Sequence, residues 1–543
     1  MKYKISLSII IILGFLIRLI GLHNPNGLTY DELFSLNMAN TPLNDFFEKL
    51  ISTDYHPPLY YLFLKGWVGL FGFSDTLLQL PSVIFSLINI PILYLIGKCY
   101  NSRKLGLILA GFYAFTFSFV YKAQEVRFYQ LACLEALLII LFSLRYFKAF
   151  KPKYLVLLTL SELALLYTLT LGSLYVLVNS IIILILIFNK KEILKKFLVS
   201  RICLFIAYLG QFYITISQII NSKQTLLSNP WDWIFHADIT QSMVKFTELA
   251  VFPFPKLISH EYVPYFIFIF LAGIGLYKAI KEKNKLLIYI FSFFNSFTLL
   301  IYVLMKLDIL KLSGNINYFT ILAILNLIFV CFLFSKRKIV LIFILLFQIL
   351  HLQTMIIDPI YYNKLNTSRF KTVSNYINSK NNANILLFAP YGDKLFSKYI
   401  KNMTAFGING DELFTMSKYE NKANEIFDFN FKNTTLSERK TYLDIYLTQK
   451  RPTNNLTQKY NHAVSKLKKG DYFTVVAHNN RLYEQKYIEI LVDEYKNQFP
   501  YSNLTMAKIA LDIIYLLDND KRLKFDSEAF IDNEWIIMMY QKR

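Results

Sequence analysis

The apolar stretch ISLSIIIILGFLIRLIGL, residues 5–22, determines the class of fold. It is long enough to cross ~30 Å of hydrocarbon as one helix, and similar runs recur as far as residue 357. No small-residue cleavage site follows it, so we expect a retained first helix instead of a signal peptide. With 55% hydrophobic residues, 17% aromatic residues and a mean hydropathy of +0.38, the chain is typical of polytopic membrane proteins and not of soluble enzymes.

The apolar runs predict about eleven membrane-spanning helices. Their expected ranges are 5–22, 79–98, 104–121, 128–147, 154–170, 171–188, 198–220, 263–280, 285–306, 316–335 and 338–357. Short turns rich in lysine and arginine lie between many of them, and such turns mark the cytoplasmic side of a membrane. We therefore predict a cytoplasmic N-terminus and an extracytoplasmic C-terminus. The net charge of +21 then reflects topology and does not indicate nucleic-acid binding.

Residues 57–72, PPLYYLFLKGWVGLFG, could form a twelfth span. Counting them as a span would reverse every later loop and move the basic turns to the outer side. That arrangement contradicts the usual distribution of positive charge. We therefore predict that residues 57–72 form an amphipathic helix lying at the outer surface.

The long apolar runs end near residue 360. We predict a membrane domain at 1–359 and an extracytoplasmic soluble α/β domain at 360–543, which is large enough to fold alone. Its expected strands are 385–388, 472–476 and 535–540, and its expected helices lie near 367–380, 391–402, 455–468, 481–498 and 504–516. The four cysteines all lie in or beside predicted spans, so neither a disulfide framework nor a zinc site is indicated: Cys99, Cys133, Cys203 and Cys331.

Several polar groups fall on the outer face in this topology. They lie in a first outer loop (23–78), in the turn at 122–127 and in a second outer loop (221–262). Polar groups at a lipid boundary cost free energy unless they pair or function, so they are candidate site residues. The candidates are Asp31, Glu32, His56, Lys122, Glu125, Arg127, His260 and Glu261.

Each candidate also has a purely structural interpretation. Asp31 and Glu32 could begin a loop helix, where the helix dipole favours acids. Arg127 could anchor at the interface, and His56 could be a hydrogen-bonding residue before two prolines. Buried acids within spans are expensive, so for Glu135 and Glu162 we expect structural pairing or protonation.

The second outer loop leaves a metal site open as an alternative. His236, Asp238, His260 and Glu261 carry groups that ligate divalent ions. A His-x-Asp spacing with no clear third ligand is a weak metal signal. We therefore predict no metal site and no certain cofactor.

The residue types gathered on the outer face suit one kind of chemistry. A carboxylate can take a proton from a hydroxyl that attacks an electrophilic carbon. Cations can stabilise a departing phosphate whose charge grows as its bond breaks. An apolar wall can hold a lipid chain. These groups together indicate sugar transfer from a lipid phosphate to a hydroxyl.

The chain resembles a known family in six motifs that occur in the family's order. The resemblance is to the polytopic glycosyltransferases of family 39, which have the GT-C fold and include protein mannosyltransferases and bacterial relatives using polyprenyl-phosphate sugars. It covers residues 10–200 well and the later spans only in layout. The motifs are Leu16-Ile-Arg18, Leu28-Thr-Tyr-Asp31-Glu32-Leu-Phe-Ser35, His56-Pro57-Pro58-Leu59-Tyr60-Tyr61, Leu70-Phe71-Gly72, Leu80-Pro81-Ser82 and Gln124-Glu125-Val-Arg127-Phe-Tyr129.

The resemblance implies roles for individual residues. Asp31 matches the family's catalytic aspartate, which is proposed to activate the acceptor. Glu32 matches its neighbour, which helps to position the substrates. Arg127, together with Lys122, would lie beside the lipid-linked phosphate, and His56 would begin the surface helix under the active site.

Two departures from the family pattern affect the donor contacts. The family usually has arginine where this chain has Gln79, just before Leu80-Pro81-Ser82. Relatives often have Arg-Tyr near a late span where this chain has Asn317-Tyr318. The loss of these cations leaves Arg127, Lys122 or His260 to meet the phosphate, and it keeps a catalytically inactive relative open as an alternative.

The sequence thus predicts a bacterial inner-membrane glycosyltransferase of the cell envelope. It would move a sugar from a polyprenyl-phosphate donor to a glycan, lipid or protein hydroxyl on the outer face. Asp31 would act as general base, and the reaction would invert the anomeric centre. A transporter or flippase of lipid-linked sugars remains the alternative from another class, although it predicts inverted repeats that the sequence does not show.

Overall fold

The structure is a computed structural model of the 543-residue chain. It describes residues 2–20, 22, 27–100, 102–226, 273–306, 320–357, 370–379, 383–389, 396, 398–406, 454–478, 510, 512–531 and 535–543. These residues form two compact units. The first contains the described residues up to 357, apart from 27–30 and 224–226. The second contains residues 27–30, residues 224–226 and the described residues from 370 onward.

The first unit is helical throughout its described part. Its helices are α1 (Lys2–Leu19), α2 (Tyr30–Asn40), α3 (Leu43–Thr53), α4 (Leu59–Phe71), α5 (Asp75–Cys99), α6 (Arg103–Phe115), α7 (Phe117–Lys122), α8 (Tyr129–Ala149), α9 (Pro152–Thr168), α10 (Gly172–Ile187), α11 (Lys191–Leu226), α12 (Lys285–Lys306), α13 (Thr320–Leu333) and α14 (Lys338–Ile357). Helix α5 packs against α6 and α8, and α8 packs against α9.

Three helices of the described residues are long and apolar enough to cross a membrane. They are Asp75–Cys99, Tyr129–Ala149 and the Lys191–Gln218 part of α11. Shorter apolar helices accompany them, including Gly172–Ile187 and Thr320–Leu333. The apolar helices indicate a membrane protein, whereas the predicted number of eleven spans stays a prediction.

The predicted single helix 104–121 is wrong, because the chain is extended at Thr116 between α6 and α7. This break leaves the main-chain oxygens of Tyr113 and Ala114 available, and Arg18 on α1 donates to both, at 3.2 and 3.1 Å. Its Nε also donates to Ser86 Oγ at 2.8 Å. Arg18 therefore pairs within the helical bundle.

The first outer loop, 23–78, contains more structure than the sequence predicts. Helix α3 was not predicted, and α2 matches only the structural alternative in which Asp31 and Glu32 begin a loop helix. Helix α5 begins at Asp75, four residues before the expected start. Helix α4 lies inside the expected surface helix 57–72. Trp67 on α4 donates from Nε1 to Leu77 O on α5 at 2.8 Å, which fixes α4 against the start of α5.

The second unit contains a sheet of five strands in its described part. The strands are β1 (Ile385–Phe388), β2 (Met403–Ala405), β3 (Tyr472–His478), β4 (Leu523–Ile531) and β5 (Trp535–Lys542), in the order β2-β1-β3-β5-β4. Strand β1 pairs in parallel with β2 and β3, and β5 pairs antiparallel with β3 and β4. The sheet is therefore mixed.

The three predicted strands are confirmed as β1, β3 and β5. Each is a short apolar run and lies in the interior of the sheet. All four residues of β1 are buried, as is typical of a parallel strand that is covered on both faces. The sequence analysis missed β2, which has three residues, and β4, which is mostly exposed at the sheet edge and carries several charges.

Two helices of the second unit fall close to their predicted positions. They are α15 (Phe370–Asn378) and α16 (Asn454–Lys466). Residues 512–519 are also helical and overlap the expected helix at 504–516. The predicted helix at 481–498 and most of that at 391–402 lie outside the described residues.

Candidate functional site

Arg127 lies at the centre of the polar residues that the structure gathers in the first unit. It lies in the turn between α7 and α8 and is 6% exposed. Its Nη1 donates to the main-chain oxygen of Asp31 at 3.2 Å and to Ser35 Oγ at 3.0 Å. Its Nε is buried and has no hydrogen-bond partner within the described part of the chain. The guanidinium is thus held at Nη1 and keeps a buried, unused donor at Nε.

Side chains from two helices hold the backbone around Arg127. Ser82 on α5 donates from Oγ to the main-chain oxygen of Glu125 at 2.6 Å and approaches that of Arg127 at 3.3 Å. Glu32 on α2 accepts from the main-chain nitrogen of Val126 at 2.8 Å. Because buried backbone groups need partners, these contacts define the path of the turn.

Asp31 and Glu32 both lie in the first turn of α2, where the helix dipole stabilises negative charge. They are used differently. Glu32 is buried and binds the turn, whereas Asp31 is only partly buried. No side chain or backbone group in the described ranges donates a hydrogen bond to the Asp31 carboxylate. The structural interpretation, in which both acids simply begin a helix, agrees with their position in α2. It does not explain the hydrogen bond between Glu32 and the Val126 nitrogen.

The charge on Arg127 is stabilised by its surroundings. Burial alone would lower the pKa of its guanidinium, but Tyr129, Tyr61, Asp31 and Asp54 outweigh that effect and raise this pKa above its usual value. Arg127 is therefore a permanent cation beside Asp31.

Lys122, the second predicted cation, is already paired. Its Nζ lies 2.8 Å from Glu125 Oε1 and 2.9 Å from Oε2, and it sits 4.9 Å from the centre of the Tyr129 ring. This ion pair offsets most of the charge of Lys122. Arg127, in contrast, forms no ion pair within 4 Å among the described residues, although acids lie near it.

His56 is buried and held by an acid that the sequence analysis missed. Its Nδ1 lies 2.8 Å from Asp54 Oδ1, and its ring centre lies 4.6 Å from that of Phe128. Asp54 also accepts from the hydroxyl of Tyr61 at 2.6 Å. An Asp-x-His spacing just before two prolines was the available signal for this pair.

Burial and neighbouring groups have opposite effects on the pKa of the Asp54 carboxyl. Burial alone would raise it, but His56, Arg127 and the hydrogen bond from Tyr61 together hold it below its usual value. Asp54 is thus ionised at neutral pH, and His56 donates from Nδ1 to it.

Tyr60 and Gln79 carry buried polar atoms with unusual surroundings. The Tyr60 side chain is 1% exposed and Gln79 is 5% exposed. The Gln79 Oε1 makes no hydrogen bond within the residues that the structure describes, whereas the Tyr60 hydroxyl lies within hydrogen-bonding reach of the Ser82 side chain. A buried polar atom without a partner costs about 1–3 kcal/mol, so such atoms call for an explanation. Neither residue was predicted as a site residue.

Several predicted or family-pattern residues fall beyond the part of the chain that the structure describes. His236, Asp238, His260 and Glu261, together with Asn317 and Tyr318, lie outside the described residues. Among the described residues, no group of three or more His, Cys, Asp or Glu side chains is arranged to hold a metal ion.

The buried acids of the helical bundle have structural partners away from Arg127. Glu162 on α9 forms an ion pair with Arg201 on α11, with 2.6 Å between Oε2 and Nη1. Glu135 on α8 accepts from Thr168 Oγ1 at 2.9 Å. Structural pairing or protonation was the expectation for both acids.

A protein-family model described as Dolichyl-phosphate-mannose-protein mannosyltransferase matches residues 55–212. The predicted family resemblance is confirmed. The match indicates a glycosyltransferase. It includes His56, Lys122 and Arg127, whereas Asp31 and Glu32 precede the matched region. No curated protein matches the chain in sequence.

Solved structures similar to this chain include those of two kinds of protein. The crystal structure of ArnT from Cupriavidus metallidurans in the apo state has 10% identity and a TM-score of 0.49, covering 99% of this chain and 97% of that one. The same protein bound to Undecaprenyl phosphate has 11% identity and a TM-score of 0.46, with the same coverage. The Archaeoglobus fulgidus oligosaccharyltransferase complex with Zn and sulfate has 9% identity and a TM-score of 0.48, covering 90% of this chain and 69% of that one.

Proposed function

We propose that this chain is an integral membrane glycosyltransferase of GT-C type that moves a sugar from a polyprenyl-phosphate donor to an acceptor hydroxyl. Asp31 is the general base, and Arg127 binds the donor phosphate. The family match over residues 55–212 supports the reaction class. The roles of the residues rest on the geometry around Arg127.

The observation that carries the proposal is the state of Arg127 beside Asp31. The arginine is buried and permanently charged, and its Nε has no acceptor among the described residues. A buried cation with a spare donor suits an anionic ligand, and an arginine suits the oxygens of a phosphate. The main-chain oxygen of Asp31 accepts a hydrogen bond from Arg127 Nη1, which places Asp31 beside the guanidinium. The Asp31 carboxylate accepts no hydrogen bond from any described residue.

The proposed reaction is a single displacement. The acceptor hydroxyl gives its proton to the Asp31 carboxylate while its oxygen forms a bond to the anomeric carbon. The bond between that carbon and the phosphate oxygen breaks, and its electron pair leaves with the phosphate. The phosphate gains one negative charge in this step, which Arg127 stabilises more strongly than the charge of the intact donor.

This scheme inverts the anomeric centre. Retention would require a second carboxylate acting as nucleophile and a covalent sugar–enzyme intermediate. Glu32, the nearest second acid in sequence, already accepts a hydrogen bond from the Val126 nitrogen. We therefore assign Glu32 to holding the turn that carries Arg127.

The proposed location is a bacterial inner membrane. The basic turns would face the cytoplasm, Asp31 would face outward, and the chain from about residue 360 would form an extracytoplasmic domain. The donor would then be a lipid of the outer leaflet, and the acceptor a hydroxyl of a glycan, lipid or protein on that side.

Binding of undecaprenyl phosphate to purified protein in nanodiscs tests the phosphate role. We expect Arg127→Gln to weaken binding by about 10- to 100-fold, which corresponds to the ~1.5–3 kcal/mol of a charged hydrogen bond. Arg103→Gln, which removes an exposed cation at the start of α6, is the matched control and should bind as the wild type does. Equal binding by Arg127→Gln and the wild type would overturn the proposal.

A second measurement separates transfer from transport. Vesicles that contain the protein and a radiolabelled polyprenyl-phosphate sugar are assayed for sugar released onto an acceptor and for movement of the donor between leaflets. The proposal predicts transfer. Movement of the donor with no transfer to any envelope acceptor would favour a flippase.

A further inference from the structure

The segment directly before Asp31 is held by a residue from a distant part of the chain. Residues 27–30 belong to the second unit, whereas Asp31 belongs to the first. Within the second unit, the main-chain nitrogen of Leu28 donates to the Tyr399 hydroxyl at 2.8 Å. Leu28 is fully buried. The boundary between the two units therefore falls directly before the proposed base.

Gly27 packs against the same tyrosine. Its φ of 79° lies in the left-handed region, which glycine adopts without strain. A Cβ atom at this position would lie 2.7 Å from Lys371 Cβ on α15 and 2.8 Å from the Tyr399 hydroxyl oxygen. Both distances are shorter than an ordinary van der Waals contact. The chain that leads to Asp31 is therefore packed so closely that position 27 has no room for a side chain.

Tyr399 is in turn fixed to the rest of the second unit. Its main-chain oxygen accepts from Asn378 Nδ2 at 2.7 Å, and its main-chain nitrogen donates to Phe396 O at 2.9 Å. The Phe396 ring packs edge-on against Phe370 of α15 and Trp535 of β5, with ring centres 5.0 and 6.2 Å apart. A helix and a strand of the sheet thus hold the segment that carries the tyrosine.

Asp31 itself is held by the first unit. Its main-chain oxygen accepts from Arg127 Nη1 at 3.2 Å. Helix α2 begins at Tyr30, so little irregular chain separates the contact at Leu28 from Asp31. A misplacement of about 1 Å at a reacting group can lower a rate by about 100-fold, so a fixed approach to Asp31 matters for catalysis.

We propose that the second unit positions the general base. Tyr399 fixes the chain that enters α2 and thereby sets where the Asp31 carboxylate meets the acceptor hydroxyl. Tyr399 acts through Asp31, so it is a positioning residue. This inference rests on the proposed function, since it takes Asp31 as the base.

Tyr460 provides a matched control within the second unit. It is 2% exposed, and its hydroxyl donates to Asp520 Oδ2 at 2.9 Å. Tyr460→Phe and Tyr399→Phe each delete one tyrosine hydroxyl of this unit, but only the second deletion affects the bond to Leu28. A loss of transfer that comes from destabilisation alone would appear in both variants, whereas a positioning role affects transfer only in Tyr399→Phe.

The test compares Tyr399→Phe, Gly27→Ala and Tyr460→Phe with the wild type in the full chain in nanodiscs. Thermal unfolding and amide hydrogen exchange of the peptide that spans residues 27–35 are measured without substrate. The donor for the transfer assay is the polyprenyl-phosphate-sugar extract of native cells that lack the gene and are grown with radiolabelled sugar. The acceptor is the unlabelled envelope of the same cells. Binding of undecaprenyl phosphate is measured separately.

Tyr399→Phe should speed hydrogen exchange in the 27–35 peptide and lower kcat by about 3- to 10-fold, because the Leu28 nitrogen loses its acceptor. Gly27→Ala should lower kcat by at least about 10-fold, because its Cβ displaces the segment. Both variants should bind undecaprenyl phosphate as the wild type does. Tyr460→Phe should unfold at a lower temperature and keep the wild-type exchange and kcat.

The Asp31→Asn background shows whether Tyr399 acts through the base. Adding Tyr399→Phe to Asp31→Asn should cause no further loss of transfer, because two changes that act through one group are not additive. The inference is overturned if either Tyr399→Phe or Gly27→Ala transfers at the wild-type rate, or if Tyr460→Phe loses as much kcat as Tyr399→Phe. An equally large effect of Tyr399→Phe in the Asp31→Asn background would also overturn it.

A different result would refute the proposed function itself. If the wild type transfers no label, or if Asp31→Asn transfers at the wild-type rate, Asp31 is not the base of a sugar transfer. The positioning role of Tyr399 then falls with that assignment.

Discussion

The Glu32 carboxylate accepts a hydrogen bond from the main-chain nitrogen of Val126 at 2.8 Å. This contact joins the first turn of α2, which carries Asp31, to the turn that carries Arg127. The reverse contact, from Arg127 Nη1 to the main-chain oxygen of Asp31, lies beside it. Two elements more than ninety residues apart in sequence are therefore fixed to each other at the proposed base and the proposed phosphate ligand.

Glu32→Ala should weaken both stability and transfer. The Val126 nitrogen is buried and would lose its acceptor, which costs about 1.5–3 kcal/mol for a bond to a charged group. Glu32→Gln keeps an acceptor oxygen and should cost less in both respects. Thermal unfolding and transfer rates of the two variants check this. Wild-type stability of Glu32→Ala would show that the contact does not hold the turn.

Asp54→Asn should change how stability depends on pH. A carboxyl whose folded-state pKa is lowered stabilises the protein above its unfolded-state pKa and loses this contribution as the pH falls through the folded-state pKa. We therefore expect Asp54→Asn to be less stable than the wild type at neutral pH, and the difference should shrink as the pH falls below about 4. Unfolding midpoints between pH 3 and pH 7 measure it. A difference that is constant across that range would contradict the assignment.

The ion pair between Glu162 and Arg201 should show strong coupling. Arg201→Met alone leaves a fully buried carboxylate unpaired, at a cost of about 3–5 kcal/mol. The double variant with Glu162→Leu removes both charges and should be more stable than Arg201→Met. Denaturant titration of the two variants gives the comparison. Additive losses would mean that the two side chains do not stabilise each other.

Local patterns were enough to predict much of the fold. The strands at 385–388, 472–476 and 535–540 are apolar runs. Such a run is the sequence pattern expected of a strand that is covered on both faces. The break at Thr116 could not be predicted in this way. It depends on Arg18, almost a hundred residues earlier, which donates to the oxygens that the break exposes.

Most charged residues of the candidate site were predicted from the sequence, but Asp54 and the neutral residues were not. Topology put Asp31, Glu32 and Arg127 on one face, and the structure brings them together. The pairing of Asp54 with both His56 and Tyr61 could not be predicted, because it depends on where the turn before α4 places that carboxylate. Unpaired buried atoms become visible only after packing is known.

Transfer by Asp31→Asn tests the central claim most directly. Asparagine has nearly the same shape and leaves the main-chain oxygen that binds Arg127, but it cannot take a proton from the acceptor. The assay compares sugar transfer from the native polyprenyl-phosphate donor by the wild type and by Asp31→Asn, with undecaprenyl phosphate binding and thermal unfolding as controls. The account predicts loss of transfer by a factor of at least about 100 with unchanged binding and unfolding temperature. Wild-type transfer rates in Asp31→Asn would contradict it.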